Sequence, residues 1–314
     1  MSPGSDPGFR RLGASTGFRY VDADGGPLPD ADRERIAALV IPPAWRDVWI
    51  SPYPNGHIQA TGIDDAGRLQ YLYHPDWAAG RDKGKFARSL ALAAALPHAR
   101  GRVTTSLRRD TLDRERVLAA SFRLLDQAAL RVGSERYLER HGSRGLTTLR
   151  RRDAVVDGTV TALTFPGKSG RRHALEIDDD DLAVVMLLLV GGRSRSPLLA
   201  YERGRRRMPV SARDVNEYVR AMTGGGFTAK DFRTLRGTIL AADALARIGT
   251  VDTTRDRKRA ETLAIRATAE ALGNTPAVAR GSYIDPRVFR QYQRGRLLDT
   301  SISPESAIRS LLLE

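Results

Sequence analysis

The chain has 314 residues, with 51 Lys plus Arg against 37 Asp plus Glu, so it carries +14 at pH 7 and its first expected partner is a polyanion. Hydrophobic residues make up 41% and charged residues 28%, which places it among folded proteins rather than basic disordered tails, and the length allows two domains. The absence of Cys excludes disulfides, zinc ribbons, iron–sulfur clusters and a thiol nucleophile.

The opening MSPGSDPGFRRLGAS contains no apolar stretch of the signal-peptide kind, so a cytoplasmic, nucleoid-associated protein is expected. From Gly17 to Tyr73, short strand patterns alternate with turn residues: Phe18–Asp22 before DADGG, His57–Ile63 before DDAG, then Arg68–Tyr73. Asp30 is placed to cap a short helix over Ala31–Leu39, which Pro42 and Pro43 end. The composition shift in HPDWAAGRDKGK reads as a basic linker containing Lys83 and Lys85.

Beyond the linker the apolar spacing becomes helical, through KFARSLALAAAL and RVLAASFRLLDQAAL. Thr159–Phe165 and Arg171–Ile177 read as the arms of a β-hairpin with Lys168 at its tip. Asp178 to Asp181 directly precede the longest apolar run, Leu182–Val190. Four acids there complement a helix N-terminus better than they make a magnesium site, and the run is too short for a membrane span and reads as a core element. Ser211–Asp214 and Thr228–Asp231 resemble capping boxes, and Pro276 follows Thr275 as a first helical residue follows its cap. The five His show no metal-ligand spacing and no GxxxxGK[ST] string occurs, so no metal, nucleotide or other cofactor is expected.

Four separated strings carry the candidate chemistry: ALRVGSERYL around Arg131, FPGKSGRRH around Lys168, AKDFRTLRGT around Arg233, and LGNTPAVARGSYID around Asn274 and Tyr283. Each alone has an ordinary reading: an Arg at a helix end, a solvated turn Lys, a helix-face ion pair, a helix-end Tyr. Only five of the 51 basic residues are Lys, which slightly favours a task for Lys168 that Arg cannot perform, such as releasing a proton.

In this order the four strings resemble the catalytic motifs of type IB DNA topoisomerases of the small poxvirus and bacterial kind. GLTTLR at Gly145 to Arg150, IPPAWRDVWI and LQYLYHPDW extend the resemblance over roughly residues 17–290. The resemblance implies an α+β fold of the tyrosine recombinase and topoisomerase IB kind. Residues 1–86 would form a β-rich N-terminal DNA-binding domain with its linker, and residues 87–314 a mainly helical catalytic domain with one β-hairpin. It implies Tyr283 as the nucleophile that forms a 3′-phosphotyrosyl link, Arg131 and Arg233 as phosphate-binding cations, and Lys168 as general acid to the departing 5′ oxygen. Asn274 stands where many members carry His; its amide still donates a hydrogen bond but shuttles no proton.

For DNA contacts the resemblance points to Gln70, Tyr71, Tyr73 and Tyr137 near bases, Lys230 near a phosphate, and Lys83 and Lys85 in a clamp around the duplex. Tyr71 and Tyr73 alternate to one strand face and fit equally the core of the small domain. The expected partner is duplex DNA, with no membrane and no metal, engaged by a monomer. Two rivals remain at this level. A tyrosine recombinase usually shows His at the position of Lys230, and a non-enzymatic architectural DNA-binding protein would have kept the fold alone.

Overall fold

The computed structural model describes residues 6–14, 17–65, 67–167 and 172–313. The chain divides into two compact units, Met1–Gly84 and Lys85–Glu314. The first is built on β1 (Phe9–Ala14), β2 (Gly17–Val21), β3 (Arg46–Ile50), β4 (Ile58–Ile63) and β5 (Leu69–Tyr73), an antiparallel sheet of order β2-β1-β3-β4-β5. Its helix α1 (Asp30–Ala38) buries Ile36 with Leu28, Ile41, Val48, Ile50 and Ala60, and Leu72 of β5 leans on that cluster. Successive strand residues face opposite sides, so the neighbours of Leu72, Tyr71 and Tyr73, stand on the other face, with rings stacked 5.9 Å apart. Their reading as core of the small unit is thereby removed.

β2, β4 and β5 lie where strands were expected. β1 and β3 were not anticipated, because FRRLGA sits in a leader rich in Gly and Ser and RDVWI follows two prolines. α1 starts one residue earlier than expected: Pro29 occupies the cap position without a side-chain hydrogen bond, and Asp30 is inside the first turn, paired with Arg33. The expected linker is helical, since α2 (Pro75–Leu107) runs through it unbroken. Its Ala, Arg and Lys are strong helix formers, and two glycines at about 1 kcal/mol each do not stop a helix of this length.

In the second unit α3 (Arg114–Ala128) is central, with Val117, Leu118, Phe122, Leu124 and Leu125 all buried. α4 (Glu135–His141) follows, then a three-stranded antiparallel sheet, β6 (Ala154–Asp157), β7 (Val160–Pro166) and β8 (Arg172–Asp178). β7 and β8 are the expected hairpin arms; β6 adds a strand that the short AVVD did not reveal. In α5 (Asp180–Val190), Asp179 caps the helix by accepting from the Leu182 N–H at 2.8 Å. As expected of a core element, this helix packs Leu182, Val185, Met186 and Leu189 into the core, while Val184, Leu187 and Leu188 face outward.

A second hairpin, β9 (Ala200–Arg203) and β10 (Arg206–Pro209), leads into α6 (Ala212–Thr223), α7 (Ala229–Ile248), α8 (Thr254–Ala271), α9 (Pro276–Ser282), α10 (Arg287–Gln293) and α11 (Pro304–Leu313). Both capping boxes form: Ser211 with Asp214 opens α6, and Thr228 with Asp231 opens α7. Among the described residues no helix is long and apolar enough to cross a membrane.

The junction that sets α7 against α3 is an edge-on pair, Phe122 with Phe232, at 5.2 Å and 88°. Phe122→Ala removes a fully buried ring and should lower the stability of the second unit by about 3–5 kcal/mol. Urea unfolding followed by tryptophan-independent circular dichroism checks this; an unchanged midpoint would show that the two helices are held by other contacts.

Candidate active site

Arg131 stands just beyond the end of α3. Ala129 closes that helix in the left-handed region, at φ 47° and ψ 40°, which turns the chain out of the helix axis. The following segment is then held by GLTTLR: the Leu146 N–H donates to the Arg131 carbonyl and the Thr147 N–H to the Val132 carbonyl, both at 2.8 Å. Arg144 fastens the same loop to the hairpin, its N–H donating to the Pro166 carbonyl at 2.8 Å and its guanidinium pairing with buried Asp153 at 2.8 Å.

Arg233 lies in the second turn of α7 and is buried. It is not the helix-face ion pair its spacing allowed. Its Nη1 donates to the Ala129 carbonyl at 2.6 Å and its Nη2 to the Leu272 carbonyl at 2.8 Å. These residues cap the C-termini of α3 and α8, where helical carbonyls lack partners and the macrodipole is negative. One guanidinium therefore ties three helices together. Among the described residues no carboxylate forms an ion pair with Arg131 or Arg233, so their positive charges stay uncompensated.

Asn274 is presented by the turn after α8. The Gly273 N–H donates to the Glu270 carbonyl at 3.0 Å and the Asn274 N–H to the Ala269 carbonyl at 2.7 Å, the paired bonds of a Schellman ending. Backbone thus supplies the cap, and the buried side chain is left to other work: its Oδ1 accepts from Arg131 Nη2. Thr275 then caps α9, with Pro276 first in the helix, as expected.

Tyr283 ends α9, its N–H donating to the Ala279 carbonyl at 3.0 Å. Two neighbours on α7 that the sequence reading missed seat it. Gly237 allows the approach, since a Cβ there would fall 2.7 Å from the Tyr283 carbonyl oxygen. Thr238 lies 3.2 Å from the same oxygen through its Oγ1, which also accepts from the Asp285 N–H. The Arg233 guanidinium sits over the Tyr283 ring, 5.0 Å from its centre.

Burial alone would raise the Tyr283 pKa. The charge of Arg233, a hydrogen bond from it, and the charges of Arg131 and Lys230 outweigh that effect and bring the phenol below its usual value near 10. For Arg131, burial and then the charge of Arg233 lower the pKa, yet a guanidinium stays charged at any ordinary pH. Two cations, an amide and a phenol primed for ionisation meet at four helix ends. That arrangement suits an anion attacked by the phenolic oxygen.

The remaining expected residues divide. Lys230 is exposed at the start of α7, and Lys85 extends its Nζ to 3.4 Å from the Gly281 carbonyl, within α9. Gln70 donates to Asp64 at 2.8 Å, and Tyr73 stacks on Trp77 at 4.5 Å, extending the ring row begun by Tyr71. Lys168 lies outside the described residues, as do the side chains of Tyr137 and Lys83. His173, also missed, stacks on Phe165 beside the site, at 5.2 Å. Strand alternation was the signal available, for His173 shares the inward face of the hairpin with Leu163 and Phe165.

Because cations favour the charged phenolate, Tyr283 should titrate below 10, and Lys230→Ala should move that titration upward. The depressed pKa stabilises the fold only above the unfolded value near 10, and this contribution is lost as pH falls through the folded value. Carbon-13 NMR of tyrosine labelled at Cζ measures the shift. A Tyr283 signal that titrates above 10, or is indifferent to Lys230, would contradict the electrostatic account.

Residues 75–297 match the family described as eukaryotic DNA topoisomerase I, catalytic core, and residues 17–64 match bacterial DNA topoisomerase IB, N-terminal domain. The chain is 32% identical over 269 residues to DNA topoisomerase 1B of Acanthamoeba polyphaga mimivirus, covering 83% of this chain and 80% of that one. It is 21% identical over 240 residues to DNA topoisomerase I of Monkeypox virus, covering 76% and 73%. DNA topoisomerase 1B of Vaccinia virus (strain Copenhagen) is 20% identical over the same shares. On the match across both units, the chain belongs to the type IB DNA topoisomerases and is a type I topoisomerase enzyme.

Proposed function

We propose that the protein relaxes supercoiled duplex DNA by breaking and resealing one strand through a 3′-phosphotyrosyl intermediate. The observation that carries this reading is the convergence of two guanidinium groups, without carboxylate partners among the described residues, on a phenol of lowered pKa. Tyr283 Oη forms its bond to phosphorus as the bond to the 5′ oxygen breaks. The phenolic proton passes to water, and the departing oxygen takes a proton from Lys168. Arg131, Arg233 and the Asn274 amide stabilise charge on the non-bridging oxygens. Resealing is the reverse, with the freed 5′ hydroxyl attacking the phosphotyrosyl bond.

One ester replaces another, so the bond energy is retained and the cycle calls for no ATP. Fixed cations perform the charge stabilisation, so the reaction needs no metal. The row Tyr71, Tyr73 and Trp77 offers ring faces, and Gln70, Tyr137, Lys83, Lys85 and Lys230 offer donors for duplex DNA. The protein acts as a monomer on DNA in the cytoplasm, at the nucleoid.

Relaxation of a supercoiled plasmid in chelator and without ATP tests the proposal. The wild type should relax it, and Tyr283→Phe should bind DNA yet relax nothing. A relaxing Tyr283→Phe variant, or strand exchange between two sites in place of relaxation, would overturn it. Lys168→Ala should slow cleavage by about 10²–10⁴, with most of the rate restored when sulfur replaces the bridging 5′ oxygen, because that leaving group needs no proton. Persistent slowness on the sulfur substrate would remove Lys168 as general acid.

A further inference from the structure

His173 has no part in the chemistry above, yet it occupies the space between two pieces of the site. It points inward from β8, opposite Phe165 in the strand register, with the two rings stacked at 5.2 Å and 21°. Its other flank lies against Gly273. A Cβ at Gly273 would sit 2.8 Å from the imidazole Nε2 and closer still to Cε1, so a side chain there would have to displace the ring. Gly273 has a second reason to be glycine, its φ of 59°, which the Schellman ending of α8 requires. The next residue is Asn274, whose Oδ1 accepts from Arg131.

One imidazole therefore packs a rigid sheet on one side and, on the other, the turn that presents the amide. His173, Arg131, Arg233 and Leu272 also line one small cavity, which places the ring at the edge of the cation cluster. Backbone bonds to Glu270 and Ala269 close the turn on its helix side, and on its sheet side Gly273, which has no side chain of its own, faces the His173 ring.

From this packing we infer that His173 is a positioning residue: its ring sets the Gly273–Asn274 turn, and through it the Asn274 amide, against Arg131. The inference rests on the proposed function for its kinetic consequence, but not for its structural one. Removing the ring lets the turn sink toward β8, and the amide then loses its alignment with Arg131. A residue that merely fills space would slow every variant of the enzyme alike, whereas one acting through Asn274 loses its effect once the amide is gone.

The experiment compares rates of covalent adduct formation on supercoiled plasmid, in single turnover with protein in excess, for His173→Ala in the wild type and in Asn274→Ala. His173→Ala should slow the wild type about 10–100-fold with DNA affinity unchanged within twofold, and slow Asn274→Ala by less than about threefold. His173→Gln, which keeps a flat group in the gap, should recover part of the loss. Equal slowing in both backgrounds, or none in the wild type, would overturn the inference. The DNA-free protein supplies an independent reading, because its sequence has three Asn, at 55, 216 and 274. With asparagine labelled by nitrogen-15, His173→Ala should shift the side-chain amide signal of Asn274 and leave those of Asn55 and Asn216 in place. An unmoved Asn274 signal would overturn the inference whatever the kinetics. A wild type that forms no adduct while the Asn274 signal moves would instead indict the proposed function alone.

Discussion

The site depends on positive charge held inside folded protein with no carboxylate among the described residues to neutralise it. Burying a guanidinium costs several kcal/mol unless its donors are met. Arg233 meets the requirement with two carbonyls at helix C-termini, Ala129 and Leu272, which satisfy its N–H groups while leaving its net charge in place. A carboxylate in their place would have cancelled the charge. The same field lowers the pKa of Tyr283, so the feature that would attract a phosphate also primes the phenol.

Helix ends, not helix faces, build the site. The end of α3 delivers Arg131, the end of α8 delivers Asn274 through a Schellman turn, the start of α7 delivers Lys230 and Arg233, and the end of α9 delivers Tyr283. At such ends the backbone leaves its axis and can aim a side chain across a gap. The supporting residues are accordingly small or hydrogen-bonding: Gly237 and Thr238 beneath Tyr283, Gly273 beneath His173, and Leu146 and Thr147 beside Arg131. Their contribution is placement, which belongs to the fold as much as to the chemistry.

Much of this was legible in the sequence wherever a local rule decides the outcome. Thr228 with Asp231, Asp179 before Leu182, and Thr275 before Pro276 mark helix starts that the structure contains, since capping involves only three or four adjacent residues. Elements decided by distant partners were not legible. β1 is inner to the small sheet although FRRLGA lacks alternating apolar residues, and β10, RRMP, carries no strand pattern of its own and is ordered by its pairing with β9. The residue types of the site stood out through motif order, but the carbonyls that hold Arg233 come from Ala129 and Leu272, whose side chains announce nothing. His173 was hidden for the same reason, its meaning lying in a contact 100 residues away at Gly273.

The central claim is that the cation cluster serves an attack by one particular oxygen. The most direct measurement is to trap the protein on duplex DNA with denaturant, digest both components, and locate the attached nucleotide by mass spectrometry. The account predicts a single modified peptide containing Tyr283, carrying the nucleotide through its 3′ phosphate. Attachment through another tyrosine, attachment through a 5′ phosphate, or no covalent nucleotide at all would contradict it.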